Sequence, residues 1–75
     1  MKRFTVNLNS IDAVKETCMK MRNVDFKVTL ESEHYRVNGA SVLGVFSLDL
    51  SKPVDVVVDA KYEKEAMVIY GDYLV

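Results

Sequence analysis

A period of two in the apolar residues constrains this chain more than any other feature of its sequence. The pattern occurs in Arg3–Leu8, Val24–Leu30, His34–Asn38 and Pro53–Ala60. Successive side chains of a β-strand point to opposite faces of a sheet, so the alternation predicts four strands with one apolar face each. We expect the following residues to face inward: Phe4, Val6, Leu8, Val24, Phe26, Val28, Leu30, Tyr35, Val37, Val54, Val56 and Val58.

The spacing changes to that of a helix in three other places. The segment Asn9–Asn23 has an apolar face at intervals of three and four residues. Ser41, at the head of an apolar run, predicts the N-cap of a short second helix, and Tyr62–Val75 predicts a third. The inward residues expected in the first helix are Ile11, Val14, Cys18 and Met21, and its expected capping groups are Asn9, Ser10 and Asp12.

The predicted order of elements, β-α-β-β-α-β-α, constrains the fold class. Strands with a single apolar face need cover on one side only, and the polar Glu31–Glu33 segment suits a hairpin between two of them. A chain of 75 residues is long enough for one domain and too short for two. We therefore expect a single α+β domain over residues 1–75, an open-faced, two-layer sandwich of a four-stranded antiparallel sheet with helices on one face.

Charge and composition exclude several classes of function. The net charge is −1 and the ten lysines and arginines are scattered among acids, so we expect no nucleic-acid partner. No apolar run approaches the roughly 20 residues of a membrane span, and we expect no membrane partner. A single cysteine, Cys18, favours a reducing compartment, which predicts a cytoplasmic location. The chain has one histidine, His34, in addition to Cys18. We expect His34 in a strand and Cys18 in the core, so the sequence predicts no metal site and no cofactor.

The segment Val37–Leu50 carries one charge in fourteen residues. If Ser41 caps a helix here, Val42, Val45 and Leu48 turn towards the sheet, and Leu43 and Phe46 remain together on the outside. Two large apolar side chains beside a serine predict a compact docking patch. The alternatives are that Ser41 is a cap without further function, and that Leu43 and Phe46 pack partly into the core.

This segment, V-N-G-A-S-V-L-G-V-F-S-L in Val37–Leu48, resembles the regulatory segment of HPr, the histidine-containing phosphocarrier of the bacterial sugar phosphotransferase system. Members of that family typically read V-N-x-K-S-[IVL]-[ML]-G-[VL]-[ML]-S-L. Here Ala40 replaces the usual lysine, and Phe46 is larger than the usual methionine or leucine. The order of elements is also that of the family, which implies a four-stranded antiparallel sheet covered on one face by three helices.

The phosphoryl-accepting motif of that family, G-[IL]-H-A-R-P, is not conserved in this chain, which has Ser10–Lys15 in its place. Asp12 occupies the position of the histidine, so the resemblance implies loss of both the imidazole nucleophile and the neighbouring arginine. Asp12 has three alternative roles. It can imitate phosphohistidine with a fixed charge, accept phosphate as an acyl phosphate, or be an ordinary capping aspartate. The resemblance also places Ala13 and Val14 on the predicted partner-binding surface.

The retained serine implies a different role. In family members from low-GC Gram-positive bacteria the matching serine is phosphorylated by an ATP-dependent kinase, and the product binds a transcriptional regulator. Our first hypothesis is a regulatory or protein-binding domain, similar to the catabolite-repression paralogue, with Ser41 as phosphorylation site and no enzymatic activity. Its expected partner is a kinase, a transcriptional regulator or a component of the phosphotransferase system. The alternatives are a divergent phosphocarrier of that system and a scaffold kept for an unrelated interaction.

Overall fold

The computed structural model describes all 75 residues and contains four strands and three α-helices. The first helix begins directly after the cap Ser10, and two short 3-10 turns, Ala60–Tyr62 and Gly71–Tyr73, flank the last helix. None of the helices combines the length and apolar character needed to cross a bilayer. In chain order the elements are β1 Lys2–Val6, α1 Ile11–Arg22, β2 Thr29–Glu31, β3 Arg36–Asn38, α2 Val42–Phe46, β4 Val54–Val58 and α3 Glu63–Ile69.

The four strands form one sheet in the order β1-β4-β2-β3, and every neighbouring pair is antiparallel. The three helices supply the buried residues that cover one face, which include Val14, Val45 and Ile69. Charged side chains of Arg3, Glu31 and other residues occupy the other face. The predicted fold class, an open-faced α+β sandwich with an antiparallel sheet, is confirmed.

The core is built around β4, which lies between β1 and β2. Val54, Val56 and Val58 of β4 are at most 2% exposed, and they alternate with Asp55 and Val57 on the outer face. Burial of a valine side chain contributes about 1.5–3 kcal/mol relative to leaving it in water. The central strand therefore fixes which face the helices cover.

The outer edge of β1 is covered by the C-terminal residues. Val6 and Leu74 form an antiparallel bridge, the amide of Asn7 donates to the Tyr73 carbonyl at 2.8 Å, and the amide of Val75 donates to the Thr5 carbonyl at 3.1 Å. An unpaired edge is a template for unwanted strand pairing. The last residues thus pair with the C-terminal end of β1 and cover that part of its outer edge.

The structure corrects the sequence prediction at one strand and at two expected inward residues. The expected strand Val24–Leu30 is regular only over Thr29–Glu31, and Phe26 precedes it with its ring stacked on Tyr62 at 4.7 Å between centroids. Ile11 is 62% exposed because it is the first residue of α1, ahead of the part that packs on the sheet. Tyr35 is 63% exposed because it lies in the hairpin turn, before β3 begins.

A close contact joins the core to the loop between β3 and α2. Gly39 donates its amide to the Val28 carbonyl at 2.9 Å, and a Cβ built on Gly39 would overlap Val28 Cγ2 and lie 3.1 Å from the Tyr70 hydroxyl. The Tyr70 side chain is fully buried and its hydroxyl has no hydrogen-bond partner. Burial raises the pKa of Tyr70, since the phenolate would be desolvated there.

We predict that Gly39→Ala destabilises the fold by about 1–3 kcal/mol, because the new methyl group must displace the buried Val28 side chain. Gly71→Ala is the matched control, since a Cβ there meets nothing within 4 Å. The control should leave the free energy of unfolding within about 0.5 kcal/mol of that of the parent protein. Urea denaturation measures both, and equal effects of the two substitutions would contradict the close contact.

We predict that Tyr70→Phe stabilises the protein by about 1 kcal/mol, because it removes a buried hydroxyl that forms no hydrogen bond. The ring keeps its edge-on contact with Phe4, at 6.1 Å between centroids. Thermal and urea unfolding of the two proteins measure the difference. Destabilisation by the substitution would show that the hydroxyl is bonded.

Candidate protein-binding surface

Ser41 is the N-cap of α2, as the sequence predicts. Its backbone is extended, with φ −93° and ψ 109°, and its Oγ accepts a hydrogen bond from the Gly44 amide at 3.1 Å. A Cβ on Gly44 would lie 3.0 Å from that Oγ and 3.3 Å from Val37 Cβ, so the glycine lets the cap and β3 approach the helix closely. The amide of Val45 donates to the Ser41 carbonyl at 2.9 Å and completes the first turn.

The turn that leads into this cap is organised by Asn38. The Oδ1 of Asn38 accepts from the Ala40 amide at 2.8 Å, and its main-chain carbonyl accepts from the Ser41 amide at 3.0 Å. A side chain that bonds the backbone two residues ahead is a common way to form a tight turn. Asn38 therefore determines how Ser41 is presented at the end of β3.

The five-residue helix α2 divides its apolar side chains between core and solvent. Val45 is fully buried and Leu48, just beyond the helix, is 5% exposed, whereas Leu43 is 84% exposed and Phe46 is 41% exposed. Leu43 and Phe46 are three residues apart and therefore neighbours on one side of the helix. We call Ser41, Leu43 and Phe46 together the α2 surface.

Asp12 lies in the first turn of α1, in an exposed position and without a hydrogen bond or ion pair to other residues. The N-cap of this helix is Ser10, whose Oγ accepts from the Ala13 amide at 3.0 Å. Asn9 and Asp12 are therefore not caps, which corrects the expected set of capping groups. A carboxylate in the first turn still interacts favourably with the helix dipole.

Ala13 and Val14 do not contribute to a surface. Their side chains are 2% and 0% exposed and belong to the core, so the expectation that they contact a partner is corrected. The exposed apolar residue beside Asp12 is instead Ile11. The sequence prediction placed Ile11 inward; its position at the first helical residue, directly after a serine cap, is the signal that could have indicated exposure.

The remaining reactive side chains do not form a site. No group of three or more histidine, cysteine, aspartate or glutamate residues is placed to hold a metal ion. Cys18 is fully buried on α1, and burial raises the pKa of its thiol. His34 lies in the β2–β3 turn with a side chain that is 81% exposed, rather than in the strand where the sequence placed it.

Comparison with known proteins identifies the fold. No protein-family model matches the chain, and a search of curated proteins gives no match either. Among solved structures the chain is similar to HPr-C-His from Thermoanaerobacter tengcongensis, with a TM-score of 0.77 and 20% sequence identity. The similarity covers 96% of this chain and 89% of that chain. The protein therefore has an HPr-like fold.

We predict that Ser41→Ala destabilises the protein by about 1 kcal/mol, because the Gly44 amide loses its acceptor. Ser41→Asp keeps an acceptor oxygen at the cap and should retain most of the stability. Urea denaturation of the two variants and the parent protein measures the difference. Equal losses in the alanine and aspartate variants would contradict a capping role for Ser41.

Proposed function

We propose that this protein is an HPr-like protein-binding domain that acts through the α2 surface rather than as a histidine phosphocarrier. The observation that supports this most is the 84% exposure of Leu43 beside a serine cap, in a helix whose neighbouring Val45 is fully buried. Core packing explains Val45 and does not explain Leu43. An apolar side chain kept in water next to Phe46 is characteristic of a surface that a partner covers.

The residues in the first turn of α1 argue against a role as a phosphohistidine carrier. A phosphohistidine relay needs an imidazole nucleophile and a cation to neutralise the phosphate oxygens. At the corresponding positions this chain has the carboxylate of Asp12 and the buried side chain of Val14. Neither residue supplies the imidazole or the cation of such a relay, so a role in binding is favoured over a role in phosphoryl transfer.

Ser41 is the proposed site of regulation. Its side chain is half-buried at the cap of α2, and phosphorylation would add about −1.5 to −2 charges there. The Ser41 hydroxyl accepts a hydrogen bond from the Gly44 amide, and phosphate oxygens are also acceptors. The first turn of α2 can therefore be preserved after phosphorylation. The charge beside Leu43 and Phe46 would change while the fold stays the same, and a partner would then distinguish the two forms.

The proposed partner is a protein: the kinase that modifies Ser41, a transcriptional regulator that recognises the modified surface, or a component of the sugar phosphotransferase system. The similar structure, HPr-C-His, favours the last of these as an alternative function, in which the domain still accepts phosphate from that system. The acceptor in that case would be Asp12, which is exposed in the first turn of α1, or Ser41.

We expect incubation with an ATP-dependent HPr serine kinase to place a single phosphate on Ser41. Intact mass gives the stoichiometry and fragment mass spectra give the position. Ser41→Ala should abolish the modification, whereas Ser47→Ala, which changes an exposed serine at the end of the same helix, should not. Phosphate on Ser47, or no phosphate on the parent protein, would contradict Ser41 as the regulatory site.

A matched pair of leucines tests whether the α2 surface is free of a role in folding. Leu43→Ala should change the free energy of unfolding by no more than about 0.5 kcal/mol, because Leu43 is 84% exposed. Leu48→Ala, at a position 5% exposed, should cost about 2–5 kcal/mol. Urea denaturation measures both variants. A similar loss for the two would show that Leu43 packs into the core and would remove the basis for the docking surface.

A further inference from the structure

The outer face of the sheet carries a network of ion pairs that crosses all four strands. Arg3 on β1 contacts Asp55 on β4 at 3.1 Å and Glu31 on β2 at 3.2 Å, and Glu31 contacts the Nε of Arg36 on β3 at 3.1 Å. Glu31 and Asp55 face each other in the strand register, so Arg3 offsets their repulsion. Its hydrogen bond to Asp55, followed by the charge of Glu31, raises the pKa of Arg3.

Two cations on this face have donors that the network does not use. Arg36 lies 3.1 Å from Glu31 through its Nε, its side chain is 78% exposed, and its terminal nitrogens donate no hydrogen bond to the protein. Lys27 forms no ion pair, and it lines the same shallow concavity on the sheet as Arg36. The planar guanidinium group presents its N–H groups as a fork that matches the oxygens of an oxyanion.

The floor between these two cations is formed by Thr29 and Asn38, which face each other in the register of β2 and β3. The hydroxyl of Thr29 forms no hydrogen bond within the protein. The Oδ1 of Asn38 is occupied by the Ala40 amide, so its free donor is the side-chain NH2 group. The concavity thus combines four sets of donors with two positive charges, and the carboxylate oxygens of Glu31 beside it are both paired with arginines.

We propose that this part of the open sheet face, formed by Lys27, Thr29, Arg36 and Asn38, binds a small oxyanion of the phosphate class. Together with Lys27, the ion pairs contain three cations and two carboxylates, so these five side chains sum to +1 in a chain whose overall charge is −1. A tetrahedral dianion supplies the several acceptor oxygens that these donors lack. The site lies on the sheet face opposite the helices and shares no residue with the α2 surface.

Asn38 connects this site to the turn before Ser41. The side chain of Asn38 that would donate to the anion also accepts from the Ala40 amide through Oδ1, and the main-chain carbonyl of Asn38 accepts from the Ser41 amide. An anion that fixes the Asn38 side chain would therefore stabilise the turn that presents Ser41. Occupancy of the sheet face and the conformation of the serine cap are coupled through this one residue.

The test is a titration of the full chain with inorganic phosphate at constant ionic strength. Amide NMR spectra monitor the titration, and sodium chloride is the reference salt. We expect saturable shifts at Thr29, Arg36 and Asn38, which continue to Ala40 and Ser41. Lys27→Gln and Arg36→Gln should each weaken phosphate binding by about fivefold or more. Lys64→Gln, which changes an exposed lysine on α3, is the matched control and should leave binding unchanged.

Lys27→Gln is the decisive variant, because Lys27 has no protein partner to lose and the fold should tolerate its replacement. Unchanged phosphate affinity in Lys27→Gln would overturn the site. Shifts that are linear in phosphate concentration and spread over all basic residues, or equal in chloride, would overturn it as well. Saturation at the sheet face with no shift at Ala40 and Ser41 would overturn the proposed coupling.

Discussion

Burial of one face of the sheet is the constraint on which the rest of this structure depends. The inward valines of β4 need cover from helices, whereas Asp55 on the same strand is held on the outside by Arg3 and Thr5. A shift of the register by one residue would exchange the two faces and bury the carboxylate. The inner contacts and the outer ion pairs therefore specify the same pairing, and that pairing determines where every loop and helix lies.

The positions of the strands could be predicted from the sequence because alternation is a direct consequence of burial on one face. Their lengths could not, since Phe26 alternates correctly and yet leaves the sheet to stack on Tyr62. The inward face of α1 was partly missed for a similar reason. Thr17 is buried there, and its hydroxyl is satisfied by the Ala13 carbonyl at 2.9 Å, a contact that only the folded helix creates.

The candidate site was predictable where the signal is local. A serine before an apolar run indicates a cap, and the spacing of Leu43 and Phe46 places them together. The prediction that Ala13 and Val14 lie on a binding surface is wrong, because a motif gives the position of a residue along the chain but not whether its side chain faces the core. The outer-face network was not foreseen, because Arg3 and Asp55 meet only through a strand register that pairs residues 52 positions apart.

The central proposal is that this HPr-like domain does not accept a phosphoryl group at the start of α1. The direct measurement is the intact mass of the protein after incubation with phosphoenolpyruvate and the first enzyme of the phosphotransferase system, with an authentic HPr in a parallel reaction. We predict that the authentic HPr gains one acid-labile phosphate while this protein gains none, because Asp12 and Val14 provide neither the imidazole nor the cation of a phosphohistidine relay. An acid-labile phosphate on any residue of this chain would contradict the account.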